Sequence, residues 1–158
     1  MELFVNIDNT FISKYNRGMK IDSSIKTIGR IRKRANDFLL EELKNIGVTD
    51  IAPSHGDIFA TLFKYKECTM TEISNHINKD RSTVTSLICK LTKQGYVTSK
   101  KDPVDNRSTI IYLTEKGKEL ETSFIKISEK LYEKEYMGIT CKEKEAFLKT
   151  LEKIYDNF

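Results

Sequence analysis

Residues 69–113 read T-M-T-E-I-S-N-H-I-N-K-D-R-S-T-V-T-S-L-I-C-K-L-T-K-Q-G-Y-V-T-S-K-K-D-P-V-D-N-R-S-T-I-I-Y-L. Thr69 followed three positions later by Glu72 is the signature of a capped helix start, a hydroxyl and a carboxylate serving the unpaired amides of the first turn. Met70, Ile73 and Ile77 then share one helical face. Asn78, Lys79 and Asp80 interrupt the periodicity, and Asp80 is a suitable N-cap for a second helix. In that helix Val84, Leu87, Ile88 and Leu91 recur at i, i+3, i+4 and i+7 and form an inward stripe. Ser82, Thr85, Ser86, Cys89, Lys90 and Lys93 fall on or near the opposite side. Gly95 is placed to end the helix in a left-handed conformation.

Two β-prone runs follow, Tyr96–Thr98 and Thr109–Leu113. Between them Lys100, Lys101, Asp102, Pro103, Asp105, Asn106 and Arg107 make a turn-prone, charged loop. Such a loop by itself is equally an ordinary solvated turn. Directly after two short helices joined by a tight turn, it reads as the tip of a β-wing. The expected arrangement presents one helix to a DNA major groove and a basic hairpin to the adjoining backbone or minor groove. Small hydroxyls and lysines on the outer face of the second helix suit close approach to such a groove.

The order and spacing of T-E-I-S, S-T-V-T-S-L-I, K-L-T-K-Q-G-Y-V, D-P-V-D-N-R and L-T-E-K-G (residues 113–117) resemble the multiple-antibiotic-resistance regulator (MarR) family of winged-helix transcription factors. The likeness is sharp from Pro53 to Gly117 and looser elsewhere. It implies a triangular, helical homodimer that binds a pseudo-palindromic DNA operator, usually as a repressor, and releases it on meeting a phenolic or other small effector, or an oxidant. Asp105 and Arg107 match the family's wing motif, in which the arginine enters the minor groove and the aspartate holds the loop. Ser86 and Ser99 stand where the family often has arginine.

The flanking segments suggest where subunits would join. Ile25, Ile28, Ile31, Ala35, Phe38, Leu39, Leu43 and Ile46 give a long amphipathic helix ending near Gly47. Ser54 with Asp57 marks the expected start of the next helix, with Ile58, Phe59 and Leu62 facing inward. Thr114 caps a helix carrying Leu120, Phe124, Ile127 and Leu131. Thr140 with Glu143 caps a last one carrying Phe147, Leu148, Leu151, Ile154 and Tyr155. These helices exceed what a small winged core must bury, so an intersubunit interface is expected, packing within one subunit being the other reading. The expected fold is mainly α with a small β-wing. Within one domain of 1–158, residues 1–47 would form the N-terminal segment and first dimerisation helix, 53–113 the winged helix-turn-helix lobe, and 114–158 the C-terminal dimerisation helices.

A chain of 158 residues fits one such domain. Its net charge is +4, and the segment Lys64–Arg107, with nine basic and five acidic residues, carries a surplus equal to all of it. That is where phosphate neutralisation requires positive charge. Arg81, Ser82, Thr83, Thr85, Ser86, Lys90, Lys93, Lys100, Lys101, Asp105 and Arg107 are therefore the candidate DNA-binding residues. No apolar run reaches the ~20 residues that span a bilayer. The opening L-F-V-N-I-D-N-T-F-I lacks the features of a signal peptide. Cys68, Cys89 and Cys141 show neither disulfide nor metal spacing, which fits a reducing cytoplasm.

No phosphate-cradling loop, metal cluster or activated nucleophile can be assembled, so neither enzyme nor cofactor is expected. His76 reads as a surface residue of the first motif helix. His55 lines an effector cavity or simply sits at a helix start. A protein-binding winged helix without an operator of its own remains the contrasting function, and Cys89 offers a redox-sensing variant.

Overall fold

The structure, a computed structural model, describes residues 23–105 and 107–158. The opening stretch read above as no signal peptide, and Asn106 of the wing loop, lie outside the described residues. Two compact units divide the chain, residues 1–35 and 36–158. Helix α1 (Ser24–Asn45) begins in the first and ends in the second. In the first unit the described half-helix carries Ile25, Ile28 and Ile31 together with Lys26, Arg30, Arg32, Lys33 and Arg34, and no carboxylate.

The second unit contains the rest. A single 3-10 turn (Pro53–His55) leads into α2 (Gly56–Tyr65), then β1 (Glu67–Thr69), α3 (Met70–Ile77) and α4 (Arg81–Lys93). Strands β2 (Val97–Lys101) and β3 (Thr109–Leu113) follow, then α5 (Glu115–Lys118), α6 (Glu121–Glu135) and α7 (Cys141–Asp156). The sheet is antiparallel with β3 central, in the order β1-β3-β2. Ile111 pairs with Cys68 on one side and Ser99 on the other.

The expected caps form. Thr69 Oγ1 accepts from the Glu72 amide (3.2 Å) while Glu72 Oε2 accepts from the Thr69 amide (2.7 Å). Thr140 and Glu143 form the same reciprocal box at α7, while Thr114 caps α5 by its hydroxyl oxygen alone, accepting from the Gly117 amide. The stripe of α4 faces inward, Val84, Ile88 and Leu91 being buried and Leu87 half-buried. Ile58, Phe59 and Leu62 of α2 are completely buried and form the centre against which Val84, Leu91, Val97, Leu113 and Ile127 pack.

Several details differ from expectation. The helix foreseen at Ser54 begins with a 3-10 turn instead, because Pro53 enters first and the Ala52 amide donates to His55 Nδ1 (3.0 Å). Strand β1 was not foreseen, since three residues are too few for alternation to show. Lys100 and Lys101 belong to β2 and not to the loop, and Tyr96 precedes that strand. The single helix expected after Thr114 is divided at Glu119 and Leu120, the Leu120 amide turning tightly onto the Gly117 carbonyl (3.3 Å). At Gly117 a Cβ would stand 2.3 Å from the Tyr96 carbonyl oxygen, so the close approach of α5 to the wing's base requires glycine. The αL turn at Gly95 (φ 77°) forms as expected.

The apolar faces of the terminal helices remain largely uncovered. In α7 no residue is buried, and Phe147, Leu148 and Tyr155 are 47%, 44% and 69% exposed. Leu43 is the buried residue of α1, while Leu40 of the same helix is exposed.

Candidate nucleic-acid interface

Helix α4 owes its position to its cap. Asp80 Oδ1 accepts from the Thr83 amide (2.8 Å) and the Ser82 hydroxyl (2.5 Å), and Oδ2 from the Thr83 hydroxyl (2.6 Å). These bonds hold the Asp80 carboxyl far below the ordinary range. It stays ionised through mild acidification, and the cap with it. Asn78, with φ 49°, makes the left-handed bend that separates α3 from α4.

The outer face of α4 is open. Arg81, Ser82, Thr85, Ser86, Cys89, Lys90 and Lys93 are exposed and Thr83 is half-buried. The small side chains are already engaged as donors. Thr85 donates to the Arg81 carbonyl (2.7 Å), Ser86 to the Ser82 carbonyl (3.1 Å), and Ser82 and Thr83 to Asp80. What this face turns outward is therefore hydroxyl lone pairs, threonine methyls and the cations of Arg81, Lys90 and Lys93. Lys90 and Lys93 also lie in the last turn, where positive charge complements the helix dipole. That is a structural reason for lysine there beside any contact with phosphate.

The wing is braced from within. Asp102 Oδ1 accepts from the Val104 amide (2.8 Å), Asp105 Oδ1 accepts from the Arg107 amide (3.0 Å), and the Ser108 amide donates to the Asp105 carbonyl (2.8 Å). The aspartate thus holds the loop and leaves the Arg107 side chain exposed. Lys101 is exposed at the end of β2. Lys100 is engaged otherwise: its Nζ lies 2.5 Å from Glu67 Oε2 on β1 and 5.5 Å from the Tyr112 ring centre on β3. Sequence reasoning counted Lys100 among the DNA-binding residues but missed Glu67, because β1 itself was not visible. Lys100→Met is expected to change the salt dependence of DNA binding less than Lys93→Met, measured as the slope of log affinity against log salt. Equal slopes would remove the brace.

His55 is not where an effector ligand would be met. It is 1% exposed, its Nδ1 occupied by the Ala52 amide and its Nε2 buried without a partner among the described residues. Burial, and then the positive charge of Lys90, lower its pKa below the ordinary 6.5, partly opposed by Asp50. A histidine kept neutral in the fold makes the unfolded chain the better proton acceptor below its own pKa. Its contribution is complete above about pH 6.5 and lost as pH falls towards the lowered folded value. Urea unfolding midpoints should drop from pH 7 to pH 5 more in the wild type than in His55→Gln. Parallel profiles would sink this assignment. His76, exposed, stacks on Tyr65 with ring centres 4.3 Å apart.

A groove of ≈ 630 Å³ lies between α1, α2 and α6, walled by Leu39, Leu43, Phe63 and Phe124. His55 is absent from its lining, although its neighbours Pro53 and Gly56 are present. Among the described residues no helix is long and apolar enough to cross a membrane, and no cluster of potential metal ligands occurs.

Residues 51–109 match the MarR family. The HTH-type transcriptional regulator YdgJ of Bacillus subtilis (strain 168) is 25% identical over 109 residues, spanning 69% of this chain and 66% of YdgJ. The HTH-type transcriptional repressor IacR of Pseudomonas putida is 25% identical over 138 residues, 87% of this chain and 81% of IacR. These relatives are transcriptional regulators and not enzymes. The solved structure of Bordetella bronchiseptica BpsR, whose DNA binding is regulated by 6-hydroxynicotinic acid, superposes with a TM-score of 0.75 at 18% identity. The match covers 88% of this chain and 99% of that one, a likeness of fold.

Proposed function

From the premise that the chain carries a MarR-family domain at residues 51–109, we propose that it is a cytoplasmic, DNA-binding transcriptional repressor. It acts as a homodimer on a pseudo-palindromic operator and is released by a small aromatic effector. The observation that carries the reading is the outer face of α4, a capped helix whose exposed side is small hydroxyls and cations and whose flank is a braced wing. Two such helices, one per subunit, reach successive major grooves about 34 Å apart. Ser82, Thr83, Thr85 and Ser86 approach base edges with acceptor oxygens and methyls. Arg81, Lys90, Lys93 and Lys101 meet phosphates, and Arg107 enters the minor groove.

Dimerisation is supported by the uncovered apolar side chains of α1 and α7. A stable complex needs such an area removed from water. The effector reading is supported by the groove, whose volume lies within the ordinary range for small-ligand sites. Regulation of BpsR by a small aromatic molecule, and IacR's description as a repressor, agree with it. Release requires that the ligand prefer one spacing of the recognition helices over the other.

The test is a fluorescence-anisotropy titration with a duplex from upstream of the protein's own reading frame and a scrambled duplex, each at two salt concentrations. Sequence-dependent binding that weakens with salt, by a protein of dimer mass in light scattering, is the expected result. Equal, weak binding to both, followed by failure of a selection from random duplexes to enrich any site, would overturn it in favour of a protein-binding winged helix.

A further inference from the structure

The groove also carries information about the charge of its occupant. Its floor is hydrocarbon and its aromatic wall consists of Phe63 and Phe124, packed edge to face with ring centres 5.9 Å apart. Four charged side chains reach it, Asp57, Lys64, Glu121 and Glu129, leaving an excess of negative charge. Their partners differ. Glu121 faces Lys66 at 3.7 Å, and Lys64 lies 4.8 Å from the Tyr65 ring centre. Asp57 and Glu129 have no ion-pair partner among the described residues. They stand on different helices, Asp57 in the first turn of α2 and Glu129 in α6, both contributing to the lining. The α2 dipole favours the charge of Asp57 but does not cancel it for a ligand in the groove.

An aromatic acid entering here would bring a carboxylate towards Asp57 and Glu129, neither held in an ion pair among the described residues, with the Lys64 ammonium as the one cation of the described lining to set against them. An aromatic amine would meet the same carboxylates as counter-ions and the ring faces as a favourable surface for its ammonium. We propose that the groove takes a small aromatic molecule bearing a protonated amine, with Asp57 and Glu129 selecting that charge and Phe63 and Phe124 holding the ring. This rests on the reading of the groove as an effector site and adds the chemical class of the effector. The selection is a preference for charge and does not depend on ring substituents.

Calorimetry on the full chain at about pH 7, where the amine is protonated and the acid ionised, with phenethylamine, phenethyl alcohol and phenylacetate, compares one ring and chain length carrying positive, zero and negative charge. The expected order is amine, then alcohol, then acid, with about tenfold or more between amine and acid, as one or two partly screened charge contacts supply. In the double variant Asp57→Asn, Glu129→Gln the spread should collapse towards the affinity of the alcohol. Both residues are exposed, so the variant should lose no more stability, read in its urea midpoint, than the small helix-dipole share of Asp57. If the acid binds as tightly as the amine, or the amine's advantage survives in the double variant, the inference is overturned while the effector reading stands. If none of the three binds at millimolar concentration, both fall together.

Discussion

Phe59→Ala is expected to destabilise the fold by about 3–5 kcal/mol, as truncation of a fully buried phenylalanine does. Phe59 is 0% exposed and sits where three elements meet. Its ring lies 4.8 Å from that of Phe124 on α6, 5.8 Å from Phe63 on its own helix, and 5.8 Å, edge-on, from Tyr96 at the base of the wing. Removing it leaves a void that cannot close without moving α6 or the wing, and aromatic contact energy is lost besides. The measurement is the urea midpoint, expected to fall by a large part of a typical domain's stability of about 5–15 kcal/mol. Tm should drop by roughly 6–20 °C. A loss under about 1.5 kcal/mol, within the range of a tolerated core exchange, would mean that the packing of α2 against α6 and the wing is not as described.

The second large effect is on DNA. Lys90→Ala with Lys93→Ala removes two exposed cations from the end of α4 while leaving its buried stripe and its Asp80 cap untouched. If both meet phosphates in each subunit of the homodimer, four contacts are lost, the slope of log affinity against log salt shrinks by about 3.6, and affinity at about 0.15 M salt falls roughly 1,000-fold. The loss should be similar for cognate and scrambled duplexes, because phosphate contacts carry no sequence information. Stability should change only by the helix-dipole share, about 0.3–1 kcal/mol per lysine. An unchanged salt slope with lowered stability would assign the pair to the helix end alone. Replacing Thr85 and Ser86 should act the other way, lowering the preference for one duplex more than the salt dependence.

The two halves of the motif were legible in the sequence to different depths. Thr69, Asp80, Gly95, Thr114 and Thr140 announce their caps and turns because each acts through bonds to residues within four or five positions, so local chemistry suffices. The inward face of α4 and the outward face of hydroxyls and lysines follow from helical periodicity for the same reason. The wing's two strands were visible from β-branched and aromatic composition, but the extent of the first, β2, was not. Lys100 and Lys101 are poor strand formers, drawn into β2 by pairing with Ile110 and Thr109.

Whatever depends on residues distant along the chain stayed out of reach. Strand β1 exists because β3 offers it a free edge, and the pair Glu67–Lys100 exists because both outer strands flank Tyr112. The division between α5 and α6 accompanies the carbonyl of Tyr96 pressing on Gly117, twenty-one positions away. The groove arises where α1, α2 and α6 converge, and the buried His55 feels the charges of Lys90 on α4 and of Asp50. Amphipathic periods foretold that each helix would hide a face. A period states which side turns away from water, not which neighbour receives it, since the hydrophobic effect is non-directional and partners are chosen by shape and packing. Capping, turning and the polarity of the recognition helix therefore belong to the linear order of residues. The wing's brace, the neutrality of His55 and the acid-rimmed groove belong to the convergence of segments that the linear order keeps apart.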